Sequence, residues 1–373
     1  MSLLEKITII IPTYERQRYV VRNMDYWSGK DAQVIVVDGS SNPVDSALLK
    51  RIAENVSYHH MPLSIKQRLD FAVGQLNTPY VMLCGDDEFM LPSGIIASIR
   101  HLESHQDYAQ TGGRSVGFLI KDNILNLYPV KSEQKNHVVG QDDVMGRIEY
   151  HIKNYTPSTI YAVHRSNYFS SIINAANHYQ YSNGGYTLEL IFELLSASVG
   201  KSCILSDVMW IRSSENNPVH YTGWDRQCYL PDWYENKEYE QEVICMYNVL
   251  IDSICSCYSD IPRETVLHCL KRIIEHRIEY FDKPSINRIR NGAPVKVNVG
   301  NYFKSLLKNI IIKYSPFTQE KYISSYFRDN KKYSYHRLIN QEDIKIRDVR
   351  ELNDIWERIL IFHNTNGSIK LSK

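Results

Sequence analysis

Asp86 and Asp87 follow the apolar run Tyr80-Val81-Met82-Leu83, so two carboxylates stand at the carboxyl end of what reads as a buried strand. Open α/β sheets bind their ligands at that edge. Beside a phosphorylated ligand such carboxylates usually hold a divalent cation, because hard oxygen donors suit magnesium or manganese. Upstream, Val34-Ile35-Val36-Val37 runs into Asp38-Gly39-Ser40-Ser41, a turn signal set directly after a second apolar strand. A nucleotide base needs a planar hydrogen-bond partner and a stacking surface, and Asp38 and Tyr14 can supply them.

These side chains need a frame, and the hydrophobic pattern supplies one. Residues 7–11 (ITIII) form a continuous β-branched run closed by Pro12, which suits a strand covered on both faces. The pattern predicts further strands at 34–37, 56–59 and 80–83, with helices at 19–27, 43–54 and 65–76 between them. Leu91-Pro92-Ser93-Gly94 opens a helix over 95–103, and 117–120 with 124–128 suggest a hairpin. Residues 187–199 predict an amphipathic helix, with Leu188, Ile191, Leu194 and Leu195 on one face and Glu189 and Glu193 on another. Alternating strands and helices imply a right-handed, doubly wound α/β fold, Rossmann-like and mostly parallel. After Trp233 the pattern turns mainly α-helical, so the expected division is 1–230 for the sheet domain and 231–373 for a C-terminal helical domain.

The 373 residues are 43% hydrophobic and 23% charged, an ordinary globular composition with enough apolar side chains for a core. No apolar run approaches the roughly 20 residues that span a bilayer, and residues 1–6 lead straight into strand pattern without the regions of a signal peptide. Seven cysteines, an odd number with no C-x-x-C pair, argue against a disulfide framework or zinc site and for reduced thiols in a cytoplasmic protein. The net charge of +1 is unevenly spread: residues 283–319 carry seven basic residues and no acidic one.

Taken in order, the segments resemble the family-2 type of GT-A glycosyltransferase over roughly the first 215 residues. Ile9-Ile10-Ile11-Pro12-Thr13-Tyr14-Glu15-Arg16 resembles the family's opening strand and nucleoside-touching turn, with Glu15 where asparagine is usual. Val36-Val37-Asp38-Gly39-Ser40-Ser41 resembles the second motif, whose aspartate contacts the base, and Arg68, 18 residues before Asp86, falls at the spacing of an arginine near the nucleotide. Cys84-Gly85-Asp86-Asp87 falls on the metal motif. Cysteine replaces its first aspartate and is a poor magnesium ligand, so Asp86 is the first choice for Mn2+ or Mg2+ and Asp87 the second. The resemblance implies a nucleotide-sugar donor, UDP-linked, a hexosyl or pentosyl transfer, and inversion at the anomeric carbon. Gly184-Gly185-Tyr186-Thr187-Leu188-Glu189 resembles the segment bearing the general base, with Glu189 in that role and Glu193 one turn on as the alternative. Trp210-Ile211-Arg212 resembles the strand and arginine before a loop that closes over the diphosphate, where His220 is a candidate second metal ligand.

The implied acceptor is a glycan or lipid-linked saccharide in cell-surface polysaccharide synthesis. Residues 302–313 place Phe303, Leu306, Leu307, Ile310 and Ile311 on one helical face, which packs in a core or meets anionic headgroups at the inner face of the membrane. No nucleic-acid-binding motif accompanies the basic stretch. Two rivals stand beside the transferase. A sugar nucleotidyltransferase would carry a glycine-rich phosphate loop, yet residues 13–18 contain no glycine. A non-catalytic glycan-binding or assembly protein on the same scaffold would explain Cys84, while Asp86 and Glu189 oppose it.

Overall fold

The computed structural model describes residues 2–121, 124–129, 137–155, 159–183, 185–213, 215, 229–284, 286 and 345–364. Its centre is one ten-stranded sheet. Strands β1 (Ile7–Thr13), β2 (Gln33–Asp38), β3 (Val56–His60) and β4 (Tyr80–Leu83) are parallel, in the order β3-β2-β1-β4. The sheet continues through β9 (Val163–Arg165), β6 (Tyr108–Lys121) and β10 (Lys201–Ser213) to the two-residue edge β5 (Phe89–Met90). β9 runs antiparallel to both neighbours and β5 antiparallel to β10, whereas β6 and β10 pair in parallel. β7 (Ile124–Pro129) returns along β6, as the hairpin pattern predicts, and β8 (Val138–Val139) pairs with β10. The sheet is therefore mixed but mostly parallel.

The strand sequence explains why both faces are covered. Along β1, Ile7, Ile9 and Ile11 belong to one apolar cluster while Ile10 belongs to the other, the two-residue alternation of a pleated strand. On the first face lie α1 (Gln17–Trp27), α4 (Pro92–Ser104) and α11 (Val349–Asn364), through Val20, Met24, Ile95, Ile99, Leu352 and Ile355. On the second lie α3 (Ile65–Gly74), α5 (Val144–Lys153), α6 (Ser166–Asn177) and α7 (Gly185–Ser198). The same cluster takes in α8 (Leu230–Glu235), α9 (Glu240–Cys257) and α10 (Arg263–Arg277). Each cluster thus contains residues from both sides of position 230. The helices after that position complete the packing of the sheet's two faces.

Local signals set the helix starts. Ser64 and Gln67 form a reciprocal capping box at α3, and Pro92 occupies the first turn of α4. Gly94 lets α4 rest on β10, where a Cβ would come within 2.5 Å of the Val208 carbonyl. One expectation needs correction. The helix expected over 43–54 is only α2 (Ser46–Leu49), because Asn55 and Ala53 are tied to the loop at 28–32 through side-chain bonds that compete with helix continuation. Glu193, on the polar side of the amphipathic pattern, is nonetheless fully buried, because α5, α6 and α9 all pack against α7.

Candidate active site

The parallel strands β1, β2 and β4 end at one edge of the sheet, and the expected nucleotide residues gather there. Thr13 and Asp38 are register partners at the ends of β1 and β2. Thr13 Oγ1 donates to Asp86 Oδ2 at 2.7 Å, linking the first motif to the acidic turn. Arg68, 5% exposed, donates from Nη1 to the carbonyls of Thr13 and Val37 at 2.7 and 2.9 Å and from Nε to Leu63 O at 3.1 Å. It clamps the carboxyl ends of both strands from beneath Gly39. A Cβ on Gly39 would stand 2.7 Å from the guanidinium carbon, so a side chain there would push Arg68 out of its clamp.

The two turns above this clamp are bound to each other. Glu15 has φ +54°, the left-handed region where asparagine is tolerated better than glutamate. Its strain is held by three bonds: its own N–H donates to Ser40 Oγ, and its Oε1 accepts from the N–H and Oγ of Ser41. Tyr14 beside it is 48% exposed, leaving its ring open for stacking, while Pro12 is half-buried at the strand end. Asp38 is fully buried, with Oδ1 accepting from Ser40 N–H at 2.8 Å and Oδ2 from the Tyr58 hydroxyl at 2.6 Å. Each carboxylate oxygen thus already accepts one hydrogen bond.

The acidic turn is shaped by a residue with no sequence signal. Asn23 of α1 donates from Nδ2 to the carbonyls of Gly85 and Glu88 at 2.8 and 2.9 Å. Burial pushes the Asp86 carboxyl up to about 7, with Arg16 working against burial and Asp87 with it. Glu88 is pushed up to about 8 by burial and then by Asp87, and its Oε2 accepts from Trp210 Nε1 at 2.8 Å. Cys84 is buried and its thiol is raised well above its ordinary value by burial, so it offers no thiolate. Arg16, the N-cap residue of α1, reaches into the turn: Nη2 lies 2.5 Å from Asp87 Oδ2 and Nε 3.4 Å from Asp86 Oδ1. Arg212 stands near the end of β10, its guanidinium 5.5 Å from the Trp210 ring.

Among the described residues no group of three or more His, Cys, Asp or Glu side chains converges as a metal cage. Magnesium at phosphate sites, however, commonly takes only one or two protein carboxylates, the rest of its shell being phosphate oxygen and water. Asp86 and Asp87 fit that donor set, and both already face a cation in Arg16. His220 lies outside the described residues, as does most of 283–319, including 302–313.

Glu189 sits in a separate polar cluster. The Tyr155 hydroxyl donates to its Oε1 at 2.5 Å, and the Arg277 guanidinium lies 4.6 Å from the Tyr155 ring. One turn on, Glu193 Oε2 pairs with His151 Nε2 at 2.7 Å, both side chains buried. Asn23, Tyr155 and Arg277 carry no motif or spacing signal in the sequence. Arg16 has one, its place at the end of the opening motif.

Sheet order and parallel strand ends define a mixed, mostly parallel α/β fold with a cluster of polar residues at one sheet edge. No family model matches the chain, and no curated protein matches it in sequence. Among solved structures it is similar to residues 1–349 of TarS from S. aureus in complex with UDP-GlcNAc. That likeness has a TM-score of 0.52 at 14% identity, covering 80% of this chain and 77% of that one. A further crystal structure of TarS 1–349 gives 0.49 at the same identity and coverage. At this identity the likeness establishes a shared fold. Among the described residues no helix is long and apolar enough to cross a membrane.

Proposed function

We propose that this protein is an inverting glycosyltransferase that moves a hexosyl or pentosyl group from a UDP-linked donor to a hydroxyl of a glycan or lipid-linked saccharide. The observation that carries the reading is the joining of three strand ends at one edge, with Arg68 clamping β1 to β2 and Thr13 bonded to Asp86. The exposed Tyr14 ring stacks on the base, and Asp38 accepts from its edge. The TarS structure with UDP-GlcNAc, of the same fold, supports a UDP-sugar as the class of donor.

Asp86 and Asp87 would hold a divalent cation, which when bound offsets the charge that develops on the diphosphate. Arg212, near the end of β10 and within electrostatic reach of Glu88 beside the acidic pair, adds positive charge. Glu189 takes the proton of the acceptor hydroxyl while that oxygen forms the bond to the anomeric carbon. The bond from that carbon to the β-phosphate oxygen breaks on the opposite face, and its electron pair leaves with UDP. Tyr155 holds Glu189 in place for this. Acceptor capture by 283–319 at an anionic membrane surface belongs to the same reading.

The test is UDP release from a panel of UDP-sugars by wild type, Asp86→Asn and Glu189→Gln, with UDP binding measured by calorimetry in parallel. Turnover of one donor, lowered by roughly 10²–10⁴ in Glu189→Gln with UDP affinity kept, is the expected result. Failure of wild type to bind any UDP-sugar or UDP rejects the transferase in favour of a non-catalytic scaffold.

A further inference from the structure

Arg16 contacts both carboxylates of the acidic turn. It approaches Asp86 through Nε at 3.4 Å and Asp87 through Nη2 at 2.5 Å, with its side chain only 17% exposed. The Nη2 contact is a close charge contact without hydrogen-bond geometry, and this buried nitrogen has no hydrogen-bond partner. Both carboxylates thus share one guanidinium at the edge where the diphosphate is proposed to bind. Glu15 fixes the direction of approach, its left-handed backbone pinned by Ser40 and Ser41 immediately before Arg16.

From this geometry we infer that Arg16 is a displaceable counter-ion: it competes with the divalent cation for Asp86 and Asp87 and, once displaced, turns its guanidinium to the donor's diphosphate. The inference rests on the transferase reading and on Asp86 and Asp87 as the carboxylates that hold the cation. It adds that the two ligands are coupled through one side chain. Cation binding takes over the carboxylates and frees a planar five-donor fork suited to phosphate oxygens. The Tyr19 ring, 5.3 Å from the Arg16 guanidinium carbon, offers an aromatic surface along which the side chain can move. Metal and nucleotide then bind with positive linkage, and Arg16 carries part of it.

Arg16→Gln separates the two roles. Binding of Mn2+ alone, by electron paramagnetic resonance, and of UDP with Mn2+ present, by calorimetry, are measured on the full chain. Removing a competing charge from within 4 Å of both carboxylates is expected to tighten Mn2+ binding about tenfold or more. The same variant is expected to bind UDP about tenfold more weakly in saturating Mn2+. A variant that merely loosens the turn would weaken both, so the opposite signs are the signature. Mn2+ binding unchanged or weakened in Arg16→Gln overturns the inference. UDP binding to wild type that ignores Mn2+ also overturns it while leaving the transferase reading in place. Absence of UDP binding under every condition removes that reading and this inference with it.

Discussion

At the scale of single residues, the least expected finding is a carboxylate that keeps its proton beside the acidic pair. Glu88 is buried, receives one hydrogen bond from Trp210, and has its carboxyl pushed up from 4.5 to about 8 by burial and by Asp87. The folded chain therefore holds a proton that the unfolded chain has lost between pH 4.5 and 8. Stability from this group is complete at the acid end of that window and declines as pH rises through it, by at most about 1.4 kcal/mol per pH unit. Glu88→Gln keeps the contact to Trp210 and cannot ionise. Urea midpoints of wild type and variant across this window are expected to diverge, the variant showing the flatter dependence, and parallel curves would show that Glu88 ionises freely.

At the scale of elements, α11 reaches the acidic turn through a buried relay. Arg22 of α1 holds Glu215 through both nitrogens, at 3.0 and 2.8 Å, and also donates to the Asp87 carbonyl at 3.0 Å. His363 of α11 bonds to the same Glu215, and Phe362 lies under the Arg22 guanidinium at 4.5 Å. Burial alone would raise the Glu215 carboxyl, but His363 and Arg22 outweigh it and hold it down to about 2. Its contribution is thus present above pH 4.5 and is lost as pH falls from 4.5 through about 2. Glu215→Gln leaves Arg22 buried with its charge uncompensated, which is expected to cost about 3–5 kcal/mol and to remove that part of the acid sensitivity. Thermal melts at neutral and acid pH check both; a loss below roughly 1 kcal/mol would mean that the pair is solvated.

On the scale of the whole molecule, α11 closes one face of the sheet. Its Leu352, Ile355, Ile359 and Phe362 are buried, and Arg347 and Arg358 pair with Asp207 and Asp25 of the sheet region. Burying four such side chains contributes roughly 6–12 kcal/mol, as much as the net stability of a typical domain. A chain ended at residue 344 is therefore expected to lose its cooperative unfolding transition and to bind an apolar dye. A truncated chain that melts sharply near the wild-type temperature would instead mark 345–364 as dispensable to the core.

What the sequence by itself determined was everything that local pattern encodes. The unbroken apolar runs at 7–11, 34–37 and 80–83 announce strands covered on both faces, and a parallel sheet must gather its turns at one edge. Asp38 and Asp86, each just beyond such a run, were legible for that reason, and Arg68 through its spacing. Tertiary structure alone decided which groups those residues meet. Thr13 and Asp86 are 73 positions apart, Arg22 and Glu215 are 193, and Arg358 and Asp25 are 333. No periodicity reports contacts at such separations. Glu193 makes the point most simply: helical spacing gives its face, but whether that face meets water depends on α5, α6 and α9 arriving around it.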